Sequence, residues 1–220
     1  MIIQTRETIF YAQGGGQPFD LGKMTSQNTD EVVSFEVTAV RTGSGGRILH
    51  CGHFATSNQF LVGDGITQVI DAERRELNSR IHTGGHIVGL AVRHLASLIP
   101  EVTELKAQHY PDSAFVEFKG TIDSKHKEAI QVKSAEFIRR ALPIMVYWWN
   151  ETELREKCAV VPDAVAIPQD DLIRAVDIEG AGAYPCGGTH VTDTSLVGQL
   201  QIRNITRRKG ISKITYEIAM

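Results

Sequence analysis

The stretch from Asp71 to Pro100 constrains the fold of this chain most, because its apolar residues keep a helical period and carry two histidines with them. Leu77, Ile81, Val88, Val92, Leu95 and Ile99 recur at helical spacing. Asp71 can cap the first turn, Glu73 and Glu76 suit its positive end, and Pro100 stops the run. His82 and His86 stand four residues apart, about 40° from a full turn, so both imidazoles leave the same face. They either meet one ion or are two unrelated histidines on a partly buried face. Between them lie Gly84 and Gly85, each costing about 1 kcal/mol against alanine in a helix. Open space for a substrate beside the two rings would account for them.

A second pair lies far downstream in Cys186-Gly187-Gly188-Thr189-His190. Thiolate and imidazole are donors that zinc prefers, and the glycines allow a tight loop around an ion. Each pair alone is a weak signal. Together they make four ligands, enough for a tetrahedral site, structural if closed and hydrolytic if a water joins or replaces one ligand. The three cysteines, Cys51, Cys158 and Cys186, are too few and scattered for a disulfide framework.

The rest of the chain divides in two. Residues 1–70 hold short apolar stretches separated by glycine turns at Gly14-Gly15-Gly16, Gly43-Ser44-Gly45-Gly46 and Gly63-Asp64-Gly65, a pattern of short strands. Val33, Phe35, Val37 and Ala39 alternate as one half-buried strand. Residues 71–220 mix helices and strands. Strands are predicted at 114–118, 144–149, 173–178, 199–204 and 213–218, with a second helix over 124–142 closed by Pro143. The predicted class is α+β, a small N-terminal β-barrel module (1–70) before an α+β domain (71–220).

His82-Thr83-x-x-His86, Cys186-Gly187-Gly188-Thr189-His190 and Gly14-Gly15-Gly16-Gln17-Pro18-x-Asp20, in that arrangement along the chain, resemble the editing domain of alanyl-tRNA synthetase and its free-standing AlaX relatives. The resemblance extends from Thr8 to the C-terminal strand, and the glycine-rich motif is that of the larger AlaX type. It implies the α+β editing fold shared with threonyl-tRNA synthetase, with a barrel in front. It implies a deacylase of seryl-tRNA(Ala), and also of glycyl-tRNA(Ala), with Zn2+ on His82, His86, Cys186 and His190. Gln108 falls where relatives contact the amino acid, and Thr83 and Thr189 can face the pocket or bond neighbouring carbonyls. Editing of seryl-tRNA(Thr), or a non-catalytic zinc-stabilised RNA-binding module, are the alternatives.

The chain departs from the family in three places. Relatives commonly carry alanine and a bulkier residue where Gly84 and Gly85 stand, which predicts a roomier pocket. They often carry an aspartate shortly before the motif cysteine, where this chain reads Gly180-Ala181-Gly182-Ala183. Met1 also lies close to the glycine-rich motif, which predicts a truncated barrel.

With a net charge of −3, the chain has no overall pull on a polyanion, so tRNA needs a local patch. Arg203, Arg207, Arg208, Lys209 and Lys213, in a stretch free of acidic residues, are the candidate. Gly14, Gly15 and Gly16 either approach tRNA phosphate through their amides or form a tight packing turn. His50, Cys51, His53, His94, His109 and His126 read as ordinary turn or core residues, and Trp148 and Trp149 as core or module-interface residues. No apolar run reaches membrane-spanning length and the N-terminus lacks a secretory pattern, so a cytoplasmic location is expected.

Overall fold

A computed structural model of the chain describes residues 1–27, 32–158, 161 and 172–219. Its contacts divide into two units, Met1–Gly14 with Pro18–Glu76, and Gly15–Gln17 with Leu77–Met220.

The first unit holds β1 (Ile2–Ile3), β2 (Gly22–Ser26), β3 (Ser34–Thr42), β4 (Ile48–Phe54) and β5 (Ile66–Ile70) in one antiparallel sheet, ordered β1-β4-β3-β2-β5. Phe35 and Val37 point into its core as the alternation predicts. A register shift between Val37 and Ala39 then brings Val40, not Ala39, inward. The expected barrel is an open sheet. Closure requires each strand to be paired on both sides, whereas among the described residues the two-residue β1 pairs only with β4 and β5 only with β2. Asp20 of the glycine-rich motif is buried here, where its carboxylate receives the Tyr11 amide at 2.6 Å and pairs with the Arg75 guanidinium.

Helix α1 (Ala72–His94) begins where the capping argument puts it, with Asp71 Oδ1 accepting the Arg74 amide at 3.0 Å. From Ile81 to Val92 every residue is buried, so this half of α1 is enclosed on all sides rather than lying on a surface. Two antiparallel sheets supply the apolar residues around it. The strands are β6 (Thr103–Gln108), β7 (Phe115–Lys119), β8 (Ile144–Trp149), β9 (Ile173–Ile178), β10 (Gly182–Pro185), β11 (Leu200–Arg208) and β12 (Ile211–Ile218). They form one sheet ordered β10-β9-β8 and another ordered β11-β12-β7-β6. Leu90 of α1, Val116, Ile202 and Ile214 of the larger sheet, and Val176 and Ile178 of the smaller belong to one continuous core. Helix α2 (Lys127–Arg139) adds Ile130 and Phe137, after a short 3-10 turn at Ser124–His126.

A short helix, α3 (Glu151–Lys157), follows β8 and was not predicted. Asn150 and Glu153 form a reciprocal capping box at its start, and Leu154 packs with Trp149, Cys158, Ala175 and Ala183. Trp149 is buried as expected, whereas Trp148 is exposed. Among the described residues no helix is long and apolar enough to cross a membrane.

Candidate metal centre

The two sequence pairs meet. His82 and His86 leave the buried half of α1 one turn apart, and Cys186 and His190 lie on the loop after β10. Their ligand atoms all lie within 4.8 Å of one another. Cys186 Sγ is 3.4 Å from both His82 Nε2 and His190 Nε2. The loop is held in place by Arg174 of β9, which donates to the carbonyls of Cys186 at 2.6 Å and Gly188 at 2.9 Å, while the Cys186 amide donates to the Arg174 carbonyl at 3.0 Å. A Cβ on Gly188 would run into the His82 ring, so the glycine lets the loop backbone reach the imidazole.

The ring orientations are fixed from behind. Gln17 Oε1 accepts the Thr189 amide at 3.0 Å and faces His82 Nδ1 at 2.7 Å, so Nδ1 carries the proton and the Nε2 lone pair is turned to Cys186. Gln17 Nε2 donates to Thr189 Oγ1 at 2.9 Å, and Thr189 Oγ1 is 2.7 Å from Ser79 Oγ. Thr83 Oγ1 lies 3.1 Å from His190 Nδ1 and accepts the Val191 amide at 3.3 Å. The buried Nδ1 of His86 has no hydrogen-bond partner among the described residues.

Burial pushes the basicity of all three imidazoles down, that of His86 to about 3 with the Arg174 charge as a further cause. They are therefore neutral at physiological pH, as ligation requires. Burial raises the Cys186 thiol, while the Gly188 amide and Arg174 pull it back. One thiolate and up to three imidazole nitrogens, with a buried nitrogen otherwise unsatisfied, form a donor set that could hold a metal ion.

His82, His86 and Cys186 open on a cavity of about 360 Å³ that also touches Gly15, Gly16, Glu104, Lys106, His109 and Tyr184. Glu104 accepts the Tyr184 hydroxyl at 2.8 Å, and the Tyr184 ring packs on His86 with centroids 4.5 Å apart.

The family model described as "Threonyl and Alanyl tRNA synthetase second additional domain" matches residues 173–215, which include Cys186 and His190. The "Alanyl-tRNA editing protein AlaX-M" of Saccharolobus solfataricus is 28% identical over 219 residues, 96% of this chain and 86% of that protein. Its namesake from Methanosarcina barkeri is 28% identical over 198 residues, 89% of this chain and 79% of that protein. The chain is similar to AlaX-M proteins over most of their length. It also aligns with the "Alanine--tRNA ligase" of Methanosphaera stadtmanae, 27% identical over 220 residues, where it spans 24% of the ligase's length.

The remaining predicted site residues are placed unevenly. Thr83 and Thr189 brace the ligands, as described. The Gln108 amide donates to the Ser113 carbonyl at 3.1 Å and hydroxyl at 2.7 Å, and Gln108 does not line the cavity. Gly14 accepts the Tyr11 hydroxyl. Gly15 and Gly16 line the cavity with positive φ, and the Gly16 carbonyl accepts the His109 amide at 2.8 Å. A Cβ on Gly16 would meet the Ala107 carbonyl, so at Gly16 the turn is a close-packed one.

The space expected beside the histidines is only partly filled. A Cβ on Gly85 would meet the His109 ring and the Tyr216 hydroxyl, and one on Gly84 would meet Ile218 and Leu200. Gly84 admits core side chains, while Gly85 packs on His109 and also lines the cavity beside His82 and His86. The basic residues lie on the β11–β12 hairpin. Arg203 pairs with Glu217, Arg207 with Asp123, and Lys213 sits over the Phe115 ring at 3.6 Å. Arg208 and Lys209 make no ion pair among the described residues.

Three residues of the site were missed from sequence. His109, read as ordinary core, stacks on His82 with centroids 4.1 Å apart and has its Nδ1 2.8 Å from the Tyr216 hydroxyl. Glu104 carried no motif. Gln17 was quoted within a motif but given no role, although its place between three glycines and a proline already marks a constrained turn.

Proposed function

We propose that this chain is a cytoplasmic trans-editing deacylase that hydrolyses the ester of mischarged seryl-tRNA(Ala), and of glycyl-tRNA(Ala), with Zn2+ held by His82, His86, Cys186 and His190. The observation that carries this reading is the convergence of one cysteine and three histidines at one end of a substrate-sized cavity. Support comes also from the relatives whose names describe alanyl-tRNA editing, which this chain matches over most of their length.

The residues present suit the task. Zinc in this donor set would supply Lewis acidity toward the ester carbonyl or a bound water. Gln17 and Thr83 hold His82 and His190 in position, and the Arg174 latch keeps Cys186 facing both. Cavity walls built from Tyr184, His109 and the glycine turn limit the water around the ester. Selection of serine over alanine would come from a polar contact to the seryl hydroxyl that alanine leaves unpaired. Gln108 remains the proposed contact, its amide turning from Ser113. Thr83 and Thr189 would act on the amino acid through the ligands they brace. The acceptor end of tRNA(Ala) would meet Gly14, Gly15 and Gly16, with Arg203, Arg207, Arg208, Lys209 and Lys213 near its phosphates.

The test is loss of labelled amino acid from seryl-, glycyl- and alanyl-tRNA(Ala) and from seryl-tRNA(Thr) incubated with zinc-loaded protein. Serine should leave tRNA(Ala) far faster than alanine does. Release at the spontaneous rate from every substrate would refute the reading, and preference for tRNA(Thr) would reassign it.

A further inference from the structure

Glu104 is a carboxylate without a counter-charge. It projects from β6 into the same cavity as His82, His86 and Cys186, half-buried, with the Tyr184 hydroxyl as its hydrogen-bond donor. No lysine or arginine pairs with it among the described residues. Lys106, on the same strand, pairs with Glu117 at 3.4 Å, and Arg93, which lines a second cavity together with Glu104 and Tyr184, makes no ion pair with Glu104 among the described residues. Burying an unpaired carboxylate is costly, and a cation brought to the site would offset that cost where protonation otherwise would.

The surroundings are shaped to hold that carboxylate. A Cβ on Gly89 of α1 would collide with both Glu104 Oε2 and the Tyr184 hydroxyl, so this glycine makes room for the pair. Tyr184 links the carboxylate to the candidate metal centre, since its ring packs on His86 at 4.5 Å while its hydroxyl holds Glu104.

An aminoacyl ester presents its cation in one place. The tRNA terminus contributes phosphates, hydroxyls and neutral bases, while the amino acid contributes an α-ammonium one carbon from the ester carbonyl. A group that binds the ammonium must therefore sit one short step from the groups that act on the carbonyl. Glu104 lines the same cavity as His86, with the Tyr184 ring between them.

We propose that Glu104, held by Tyr184, binds the α-ammonium of the aminoacyl group and restricts the site to esters with a free amine. The proposal rests on the deacylase reading above and identifies its substrate class more narrowly. N-acylated aminoacyl-tRNA, including peptidyl-tRNA, lacks the charge and is rejected.

Binding tests this separately from catalysis. Two tRNA(Ala) probes end in a non-hydrolysable 3′-amide, one carrying L-serine and the other glyceric acid, in which a hydroxyl replaces the ammonium. Zinc-loaded wild-type protein should bind the seryl probe at least tenfold more tightly, and Glu104→Gln, which keeps an acceptor for Tyr184, should bind the two alike. Equal affinity in the wild type, failure to bind either probe, or a preference that survives in Glu104→Gln overturns the proposal. Deacylation is scored in parallel. A wild-type preference for the seryl probe without release of serine from seryl-tRNA refutes the deacylase reading and leaves the ammonium site standing. Release of serine without the preference does the reverse. Circular dichroism and bound-zinc content of the variant guard against a folding defect, and the wild-type comparison stands without the variant.

Discussion

Gln17 Oε1 lies 2.7 Å from His82 Nδ1 while accepting the Thr189 amide, so one side chain fixes the protonation pattern of a candidate ligand from helix α1 and anchors the loop that carries two more. A carbonyl in this position raises the basicity of the opposite ring nitrogen and stops the ring from turning. Gln17→Ala should therefore lower zinc affinity about 10- to 100-fold, read by competition with a chromogenic chelator. Unchanged affinity would remove Gln17 from the support of the site.

The two glycines between the histidines should behave differently on substitution. Gly84→Ala places a methyl against the tips of Ile218 at 3.1 Å and Leu200 at 3.2 Å, which can give way, and regains about 1 kcal/mol of helix propensity. Gly85→Ala drives the methyl into the His109 ring, held between His82 and Tyr216, and should cost about 1–3 kcal/mol. Urea unfolding of both variants checks the contrast, and equal effects would contradict it.

Glu104 gives a pH signature. Burial raises its pKa from 4.5 to about 7, partly opposed by the Tyr184 hydrogen bond. Between those values the folded chain binds a proton that the unfolded chain has lost, so this group's contribution to stability falls as pH rises from 4.5 to 7. Glu104→Gln removes that titration. The variant should gain stability over wild type across this window and keep a gain on the order of 1–3 kcal/mol above pH 7. Melting curves of the two proteins that run parallel from pH 5 to 8 would argue against a perturbed Glu104.

On the β11–β12 hairpin, Arg208 and Lys209 make neither an ion pair nor a ring contact among the described residues, and Lys209 lies at the turn itself with φ 51°. If they meet phosphate, Arg208→Glu with Lys209→Glu should weaken tRNA binding and flatten its dependence on log salt by about 0.7–0.9 for each phosphate left unneutralised. An unaltered slope in filter-binding titrations would place the tRNA elsewhere.

How much of this could be read from the residues depends on how each acts. Cysteine and histidine declare themselves by chemistry and spacing, so the four side chains that converge were visible in the sequence itself. Long apolar periods were equally plain, and β8 and β9 run where the alternation puts them. Strand β6 was not visible, because Leu105 is its one large apolar residue and a register shift between Glu104 and Lys106 breaks its period. Glu104 was hidden with it. His109 and Gln17 matter through partners more than 60 residues away, Tyr216 and His82, and no local pattern encodes such a partner. That Gly84 is packed by core side chains while Gly85 also lines the cavity was hidden for the same reason, since the atoms beside them come from β11, β12 and the residue after β6.

Gly15, Gly16 and Gln17 group with the residues from Leu77 onward, although the chain on either side of them does not. A fragment excised at the helix would keep His82, His86, Cys186 and His190 and lose Gln17. Such a half-protein would retain every donor atom while leaving the His82 imidazole free to present either nitrogen. Three residues thus make the integrity of the polypeptide itself a condition for an ordered centre, and limited proteolysis between Gln17 and Leu77 should switch that order off without touching a ligand.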